Sequence, residues 1–192
     1  MTISLDKGGF ISLAKAAPAL VKAKVGLGWQ ANSFNGHPFD LDASAILVKE
    51  NGKVRNDGDF IFYNQLVHAD GSVIHSGDNL TGDADGDDEV ITVDFSKVGA
   101  DVDKIVFAVT IHDAAARGQN FGQVRKPYIH VTNDETDEEI LRYDLREEGA
   151  VENALIFGEF ERTSSGWAFS AVGQGYTNGL GGIARDFGVN VG

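Results

Sequence analysis

The chain has 192 residues, of which 42% are hydrophobic and 23% are charged, and it contains no cysteine. These values are ordinary for a globular protein, and they exclude disulfide scaffolds, thiolate metal sites and iron–sulfur clusters. Asp and Glu outnumber Lys and Arg by 29 to 16, and the net charge of -13 argues against nucleic acid and favours a cation as partner. The length predicts a single domain over residues 1–192.

Apolar residues recur with a period of two or in short blocks, and Gly, Asn and Asp separate these stretches. The pattern predicts an all-β fold of about ten strands, arranged as a sandwich. Strands are expected at Val21–Trp29, Phe39–Val48, Asp59–Tyr63, Val90–Asp94, Lys104–Ile111, Tyr128–Thr132, Glu139–Tyr143, Ala154–Glu161 and Gly166–Val172.

Three further features refine this all-β prediction. The stretch from Ile105 to Ile111 is apolar on both faces, which predicts a central strand buried on both sides. The dipeptides Asn51-Gly52 and Asp70-Gly71 favour tight hairpin turns. Helix is expected only in short pieces, at Ala114–Arg117 and Leu180–Phe187.

The N-terminal region predicts a cytoplasmic protein. Its apolar stretch from Ile11 to Trp29 is interrupted by lysines and a proline before it reaches the length of a signal peptide. No apolar run approaches the ~20 residues of a membrane-spanning helix. We therefore expect no membrane span.

The segment Gly77–Glu89 carries six carboxylates and no basic residue. Because neighbouring carboxylates repel one another, folding this segment favours a bound divalent cation, and an irregular oxygen shell suits calcium. An EF-hand is excluded, since Asp88 and Asp94 occupy the positions that require glycine and glutamate. The alternative is a solvated acidic hairpin.

A second acidic group lies near predicted strand ends. Asp40 and Asp42 are two residues apart, so they share one face of a strand while Leu41 points to the core. Loops of this kind could meet at one end of a sandwich. Whether Asp57, Asp59, Asp113 and Asn120 join them stays open, because the first two also fit a plain turn.

No enzyme motif accompanies these acids. The sequence lacks a phosphate loop, a dinucleotide fingerprint and a nucleophile elbow. The histidines lack metal-binding spacing, and each is expected to be structural: His37, His68, His75, His112 and His130. The sequence therefore predicts a protein without catalytic activity.

Several motifs resemble those of one bacterial family. Gly77–Gly82 followed by Gly86–Glu89 closely resembles the signature of the tellurium-resistance TerD family. Phe39–Ser44, Phe60–Asn64 and Ala116–Val124 resemble further motifs of that family. The resemblance extends over essentially the whole chain.

This resemblance implies a two-sheet β-sandwich with calcium-binding loops at one end and a few short helices, in a cytoplasmic stress-response and tellurite-resistance protein. It also implies two calcium ions that share bridging carboxylates. Asn79, Leu80 and Gly82 would contribute carbonyls or the Asn side chain. The implied metal ligands are Asp40, Asp42, Asp78, Asn79, Leu80, Gly82, Asp87, Asp88 and Glu89.

The expected function is that of a calcium-binding module without catalytic activity. Its ion-ordered loops would present a surface to a membrane-bound or cytoplasmic partner protein of the resistance system. One alternative is a metal-dependent enzyme acting on tellurite or a phosphorylated metabolite, although the chain has no cysteine for redox chemistry. Another is a small-ligand protein of the cyclic-nucleotide-binding type.

Overall fold

The protein is described by a computed structural model, which covers residues 2–34, 36–77, 86–145 and 151–191. The strands are β1 (Ile3–Leu5), β2 (Phe10–Ser12), β3 (Lys22–Gln30), β4 (Ser33–Phe34), β5 (His37–Pro38), β6 (Leu41–Val48), β7 (Phe60–Ile61), β8 (Val73–His75), β9 (Glu89–Asp94), β10 (Lys104–Ile111), β11 (Arg125–Asn133), β12 (Glu139–Asp144), β13 (Ala154–Thr163) and β14 (Gly166–Tyr176). The helices are α1 (Leu13–Ala16), α2 (Ala114–Arg117) and α3 (Gly179–Asp186), and 3-10 turns occupy Asp57–Asp59 and Phe121–Gln123.

Two six-stranded sheets face each other. The first sheet has the order β1-β12-β11-β3-β9-β8, and the second has the order β2-β14-β13-β10-β6-β7. Neighbouring strands in both sheets run antiparallel, except that β1 runs parallel to β12. The predicted two-sheet β-sandwich is therefore confirmed.

The core between the sheets follows from strand alternation. In β6, Leu41 and Leu47 point into the main core cluster, whereas Ile46 and Val48 belong to a second cluster on the opposite face. Helix α3 contributes Ile183 to that second cluster. The second sheet is thus covered on both faces, and β10 is buried on both sides as predicted.

Among the described residues, the first sheet packs against the core with one of its two faces. In β3, Val25 and Leu27 belong to the core, and the residues that alternate with the core positions are Lys22, Lys24, Gly26 and Gly28. The outer face of this sheet therefore carries polar side chains and glycine, including Lys24, Gly26 and His130.

The longer predicted strands and helices lie close to the observed ones, and the differences concern short elements and the ends of longer ones. β7 has only two residues, because Asn56 caps a 3-10 turn that occupies part of the predicted strand. The sequence did not predict the short elements β1, β2, β4, β5, β8 and α1, since two to four residues are too few to show a period. Helix α3 begins one residue earlier than predicted, at Gly179.

Both dipeptides lie in turns, but neither turn is the two-residue hairpin that the sequence predicts. Gly52 and Gly71 have φ of +73° and +70°, a conformation that favours glycine. Asp70-Gly71 connects the bridged residues Val67 and Ile74, whereas Asn51-Gly52 opens a longer loop before β7. In the described part of the chain, no helix has the length and apolar character needed to span a bilayer.

Candidate metal centre

The predicted ligands divide into those the structure describes and those it does not. Asp78, Asn79, Leu80 and Gly82 lie outside the described residues. Asp40 and Asp42 lie at the beginning of β6 in the second sheet, and Asp87, Asp88 and Glu89 lie at the beginning of β9 in the first sheet. A contact between Glu89 and Ala43 shows that these two strand beginnings are neighbours.

Four of the five described carboxylates are deeply buried. The exposed fractions are 7% for Asp40, 6% for Asp42, 7% for Asp88 and 1% for Glu89. A buried carboxylate is costly unless a charge or hydrogen bonds compensate it. The partners of each acid therefore decide what this end of the sandwich can do.

Glu89 joins the two sheets. It lies on the inner face of β9, and its Oε2 accepts a hydrogen bond from the main-chain N of Ala43 in β6. β7 reaches only as far as Ala45 along β6, so it leaves the main chain of Ala43 to other partners. Glu89 and His75 of the first sheet instead bind the main-chain N–H and carbonyl of Ala43 in the second sheet.

His75 is the companion of Glu89. Its Nε2 donates to the carbonyl of Ala43 at 3.1 Å and lies 3.5 Å from Glu89 Oε2, and its Nδ1 accepts from Gly77 N at 3.0 Å. Burial alone would lower the pKa of His75, but the hydrogen bond and charge of Glu89 outweigh burial and raise it. Gly77 is the first residue of the acidic segment Gly77–Glu89, so His75 binds the main chain where that segment begins.

Asp88 is fixed against β3. Its main-chain N donates to the carbonyl of Leu27 at 2.8 Å, and its Oδ2 accepts from Trp29 N at 3.1 Å. Hydrogen bonds from main-chain N–H groups stabilise the charged form of a carboxylate. The end of the acidic segment is therefore held at a defined place on the first sheet.

Asp40 and Asp42 lie where the sequence predicted, with Leu41 fully buried in the core between them. The carbonyl of Asp40 accepts from His112 N at 2.8 Å, and Asp42 Oδ2 lies 3.4 Å from His112 Nδ1. Asp42 also lines an open pocket of about 520 Å³ with His112, Asp113 and the first residues of α2 and α3.

Asp87 points away from the other acids, onto the outer face of the first sheet. Its Oδ2 lies 2.8 Å from His130 Nε2, and its Oδ1 accepts from the Tyr128 hydroxyl at 3.2 Å. Burial, together with the charge and hydrogen bond of Asp87, raises the pKa of Tyr128 to about 12. Tyr128 therefore remains a protonated donor at neutral pH.

The described carboxylates come to one end of the sandwich without converging on one point. Glu89 lies between the sheets, whereas Asp42 and Asp87 lie on different outer faces. Within residues 2–34, 36–77, 86–145 and 151–191, no three His, Asp or Glu side chains are arranged to hold a metal ion.

The sequence left open whether Asp57, Asp59, Asp113 and Asn120 join the metal site, and the structure gives these residues different partners. Asp59 is bound by Arg55, and Asp57 accepts from Asn190 N at 2.9 Å. Asn120 begins a 3-10 turn with Gln123, and Asp113 shares the pocket of Asp42. Of these residues, Asp113 lies on the same pocket wall as a predicted ligand, and Asp57 and Asp59 have structural partners instead.

Comparison with known proteins agrees with this fold. Residues 1–187 match the family described as TerD domain. The chain is 54% identical over 190 residues to the tellurium resistance protein TerD of Serratia marcescens, with 99% of both chains covered. It is 53% identical over 193 residues to general stress protein 16U of Bacillus subtilis, with both chains fully covered.

The chain belongs to the TerD family. A crystal structure of a TerD homologue from Streptomyces coelicolor has the same fold, with a TM-score of 0.70 and 22% identity over 86% of this chain and 96% of that one. The family assignment from the acidic motifs is therefore confirmed.

Histidines are the part of this TerD-family site that sequence analysis missed. His75 and His130 stand alone in the sequence, yet each contacts an acid from the segment that begins β9. His130 and Asp87 are separated by 43 positions, so no local spacing signals their contact. The available signal was weak: His130 lies at an outward position of a predicted strand, among residues that alternate with the core.

Proposed function

We propose that this TerD-family protein binds calcium at the end of the sandwich where β6 and β9 begin, and that it acts without catalysis in stress response and tellurite resistance. One observation carries the proposal: Asp40, Asp42, Asp88 and Glu89 are each at most 7% exposed, in a chain with a net charge of -13. Such a group of buried acids beside a further acidic segment favours a cation.

The chemistry of the donors fits calcium. The carboxylates at this end offer hard oxygen ligands, which suit calcium or magnesium better than zinc or copper. The ligands would come from Asp40, Asp42, Asp87, Asp88 and Glu89 and from Asp78, Asn79, Leu80 and Gly82, which lie outside the described residues. Two ions sharing carboxylates would make use of this many oxygens.

Bound calcium would neutralise the acidic segment. The described residues already hold both of its ends: His75 binds the N–H of its first residue, Gly77, and Asp88 near its other end binds Leu27 and Trp29. Calcium would then order the residues between these two points. We propose that the ordered segment is the surface offered to a partner protein of the resistance system in the cytoplasm.

The names of the relatives support the proposed biological role. Proteins of Serratia marcescens and Bacillus subtilis that resemble this chain are named for tellurium resistance and for general stress. A redox enzyme acting on tellurite would need a source of electrons, and this chain has no cysteine to supply them. We therefore propose a binding role and no catalysis.

Calorimetric titration of the metal-free protein with calcium, in a fixed background of millimolar magnesium, tests this proposal. We expect saturable calcium binding with Kd between about 10⁻⁷ and 10⁻⁴ M, because calcium accepts irregular shells of six to eight oxygens whereas magnesium requires near-octahedral ones. Displacement of calcium by magnesium at equal concentration would indicate a hydrated acidic surface and contradict the proposal.

A second candidate function is supported by the pocket beside Asp42. Its volume of about 520 Å³ lies within the range of small-molecule sites, and it combines polar and apolar groups, among them Thr110, Asn153 and Leu180. A polar metabolite in this pocket would contact His112. Binding of cyclic nucleotides, measured by calorimetry with wild type and His112→Ala, would distinguish this candidate from calcium binding alone.

A further inference from the structure

The outer face of the first sheet carries a chain of side-chain contacts that ends at Asp87. Glu139 Oε2 lies 2.5 Å from His130 Nδ1, and His130 Nε2 lies 2.8 Å from Asp87 Oδ2. Tyr128 donates its hydroxyl to the other oxygen of Asp87 at 3.2 Å. Both carboxylate oxygens of Asp87 are therefore held by side chains of β11.

The backbone beneath these side chains leaves the space they need. A Cβ at Gly26 would lie 2.1 Å from Asp87 Oδ2 and 2.5 Å from His130 Nε2. A Cβ at Gly28 would lie 2.3 Å from the Tyr128 hydroxyl. Neither glycine has a positive φ, so neither is required for its backbone conformation. Glycine is required at these two positions because the side chains of Asp87, His130 and Tyr128 lie directly above the strand.

A further contact steadies Tyr128. The guanidinium carbon of Arg142 lies 3.8 Å from the centre of the Tyr128 ring, and Arg142 Nε donates to Asp144 at 2.8 Å. The Tyr128 ring also packs edge-on against His130, with ring centres 5.7 Å apart. The groups that bind Asp87 are thus themselves fixed by packing.

We propose that Tyr128, His130 and Glu139 are positioning residues that orient Asp87 for the cation, with Glu139 acting through His130. This inference rests on the proposed function, because it takes Asp87 to be a calcium ligand. Carboxylates that bind metals are themselves commonly hydrogen-bonded, and the loss of such partners costs 10–100-fold in metal affinity. The benefit comes from preorganisation, since a held carboxylate loses less freedom on binding.

A purely structural role for these contacts makes a different prediction. The contacts would then stabilise the fold, and their loss would lower the thermal midpoint while leaving calcium affinity unchanged. The two roles are separated by measuring both quantities on the same variants of the full chain.

The test uses calorimetric titration with calcium and thermal unfolding in excess chelator. We expect Tyr128→Phe and His130→Ala each to weaken calcium about tenfold or more. His130→Gln should recover part of this loss, because its amide N–H can still donate to Asp87. Thr132→Val, on the same strand and outward face, is the matched control and should bind like wild type.

The outcomes are distinct. Suppose that wild type binds calcium and that Tyr128→Phe, His130→Ala and His130→Gln bind it as tightly as wild type does. The positioning role is then overturned, and the proposed function stands. If wild type itself binds no calcium, both fall.

A double-variant cycle checks that the effect passes through Asp87. If His130 acts by orienting Asp87, adding His130→Ala to Asp87→Asn should weaken calcium little beyond Asp87→Asn alone, because the oriented group is already lost. Fully additive losses would show that His130 acts independently of Asp87 and would overturn the inference.

Discussion

Two groups of buried acids in the described part of the chain differ in what compensates them. Asp59, 1% exposed, faces the guanidinium of Arg55, with Arg55 Nη2 at 2.6 Å from Asp59 Oδ1, and His68 Nε2 at 3.1 Å from the same oxygen. Asp88 and Glu89, in the other group, accept hydrogen bonds from main-chain N–H groups, and Glu89 also lies 3.5 Å from His75 Nε2.

The difference shows that burial of an acid does not by itself indicate a metal site. Asp59 is buried with a cation supplied by its own chain, so it needs no ion from solution. Asp88 and Glu89 lie beside an acidic segment and are the better candidates for an external cation. Asp57 and Asp59 are candidates for the metal site by sequence alone. The hydrogen bonds from Arg55 give Asp59 a structural role instead.

The largest expected effect comes from removing the built-in cation. Arg55→Met should lower the free energy of unfolding by about 3 kcal/mol, because it leaves the buried Asp59 carboxylate without its guanidinium partner. Chemical denaturation of both proteins in excess chelator measures this change. Adding Asp59→Asn to Arg55→Met should restore part of the loss, and a loss that deepens instead would contradict the ion-pair explanation.

The other group should respond to an added ion. Calcium should stabilise the fold by about 2.7 kcal/mol at one hundred times Kd, because it binds the native state and not the unfolded chain. Thermal unfolding with calcium or with excess chelator measures the difference. An unchanged midpoint would remove the distinction between the two acidic groups.

A smaller effect should separate buried acids from exposed ones. Asp88→Asn should weaken calcium by about tenfold, or 1.4 kcal/mol, because it removes one charge next to the cation. Glu135→Gln removes one charge from an exposed position and should bind calcium almost as tightly as wild type. Equal affinity for the two variants in calorimetry would mean that the acids act only as a diffuse charge.

The smallest expected effect is a difference in acid sensitivity. Burial alone would raise the pKa of Asp59, but the hydrogen bonds from Arg55 and His68 outweigh it and lower that pKa below its usual value. The stabilisation by Asp59 is therefore complete above a pH of about 4 and is lost as pH falls through the lowered folded pKa. Asp59→Asn should flatten the pH dependence of the thermal midpoint in this acid range, and an unchanged slope would contradict the assignment.

The central strands could be predicted from the sequence, and the edges could not. Lys104–Ile111 was predicted with its observed bounds because an apolar run buried on both faces has a strong signal. β1 and β2 have three residues each, and β7 was shortened by the capped turn at Asn56. β1 and β2 pair with β12 and β14, which come much later in the chain.

The candidate site was partly predictable for the same reason. Asp40 and Asp42 follow from the period of two along one strand, and Leu41 lies in the core as expected. The contacts of Asp87 with His130 and of Glu89 with Ala43 join distant segments through the sandwich, so local spacing carries no trace of them. Calcium binding and its ligands remain predictions.

The pairing of the first strands has a consequence for synthesis on the ribosome. β1 pairs with β12 in the first sheet, and β2 pairs with β14 in the second, so Ile3 lies beside Leu141 and Ile11 lies beside Phe169. Contacts between residues so far apart in sequence slow folding. β1 and β2 cannot pair until β12 and β14 have emerged from the ribosome. Until then the strand edges that β1 and β2 will join are exposed in the nascent chain, and exposed edges of this kind are the sites that chaperones protect.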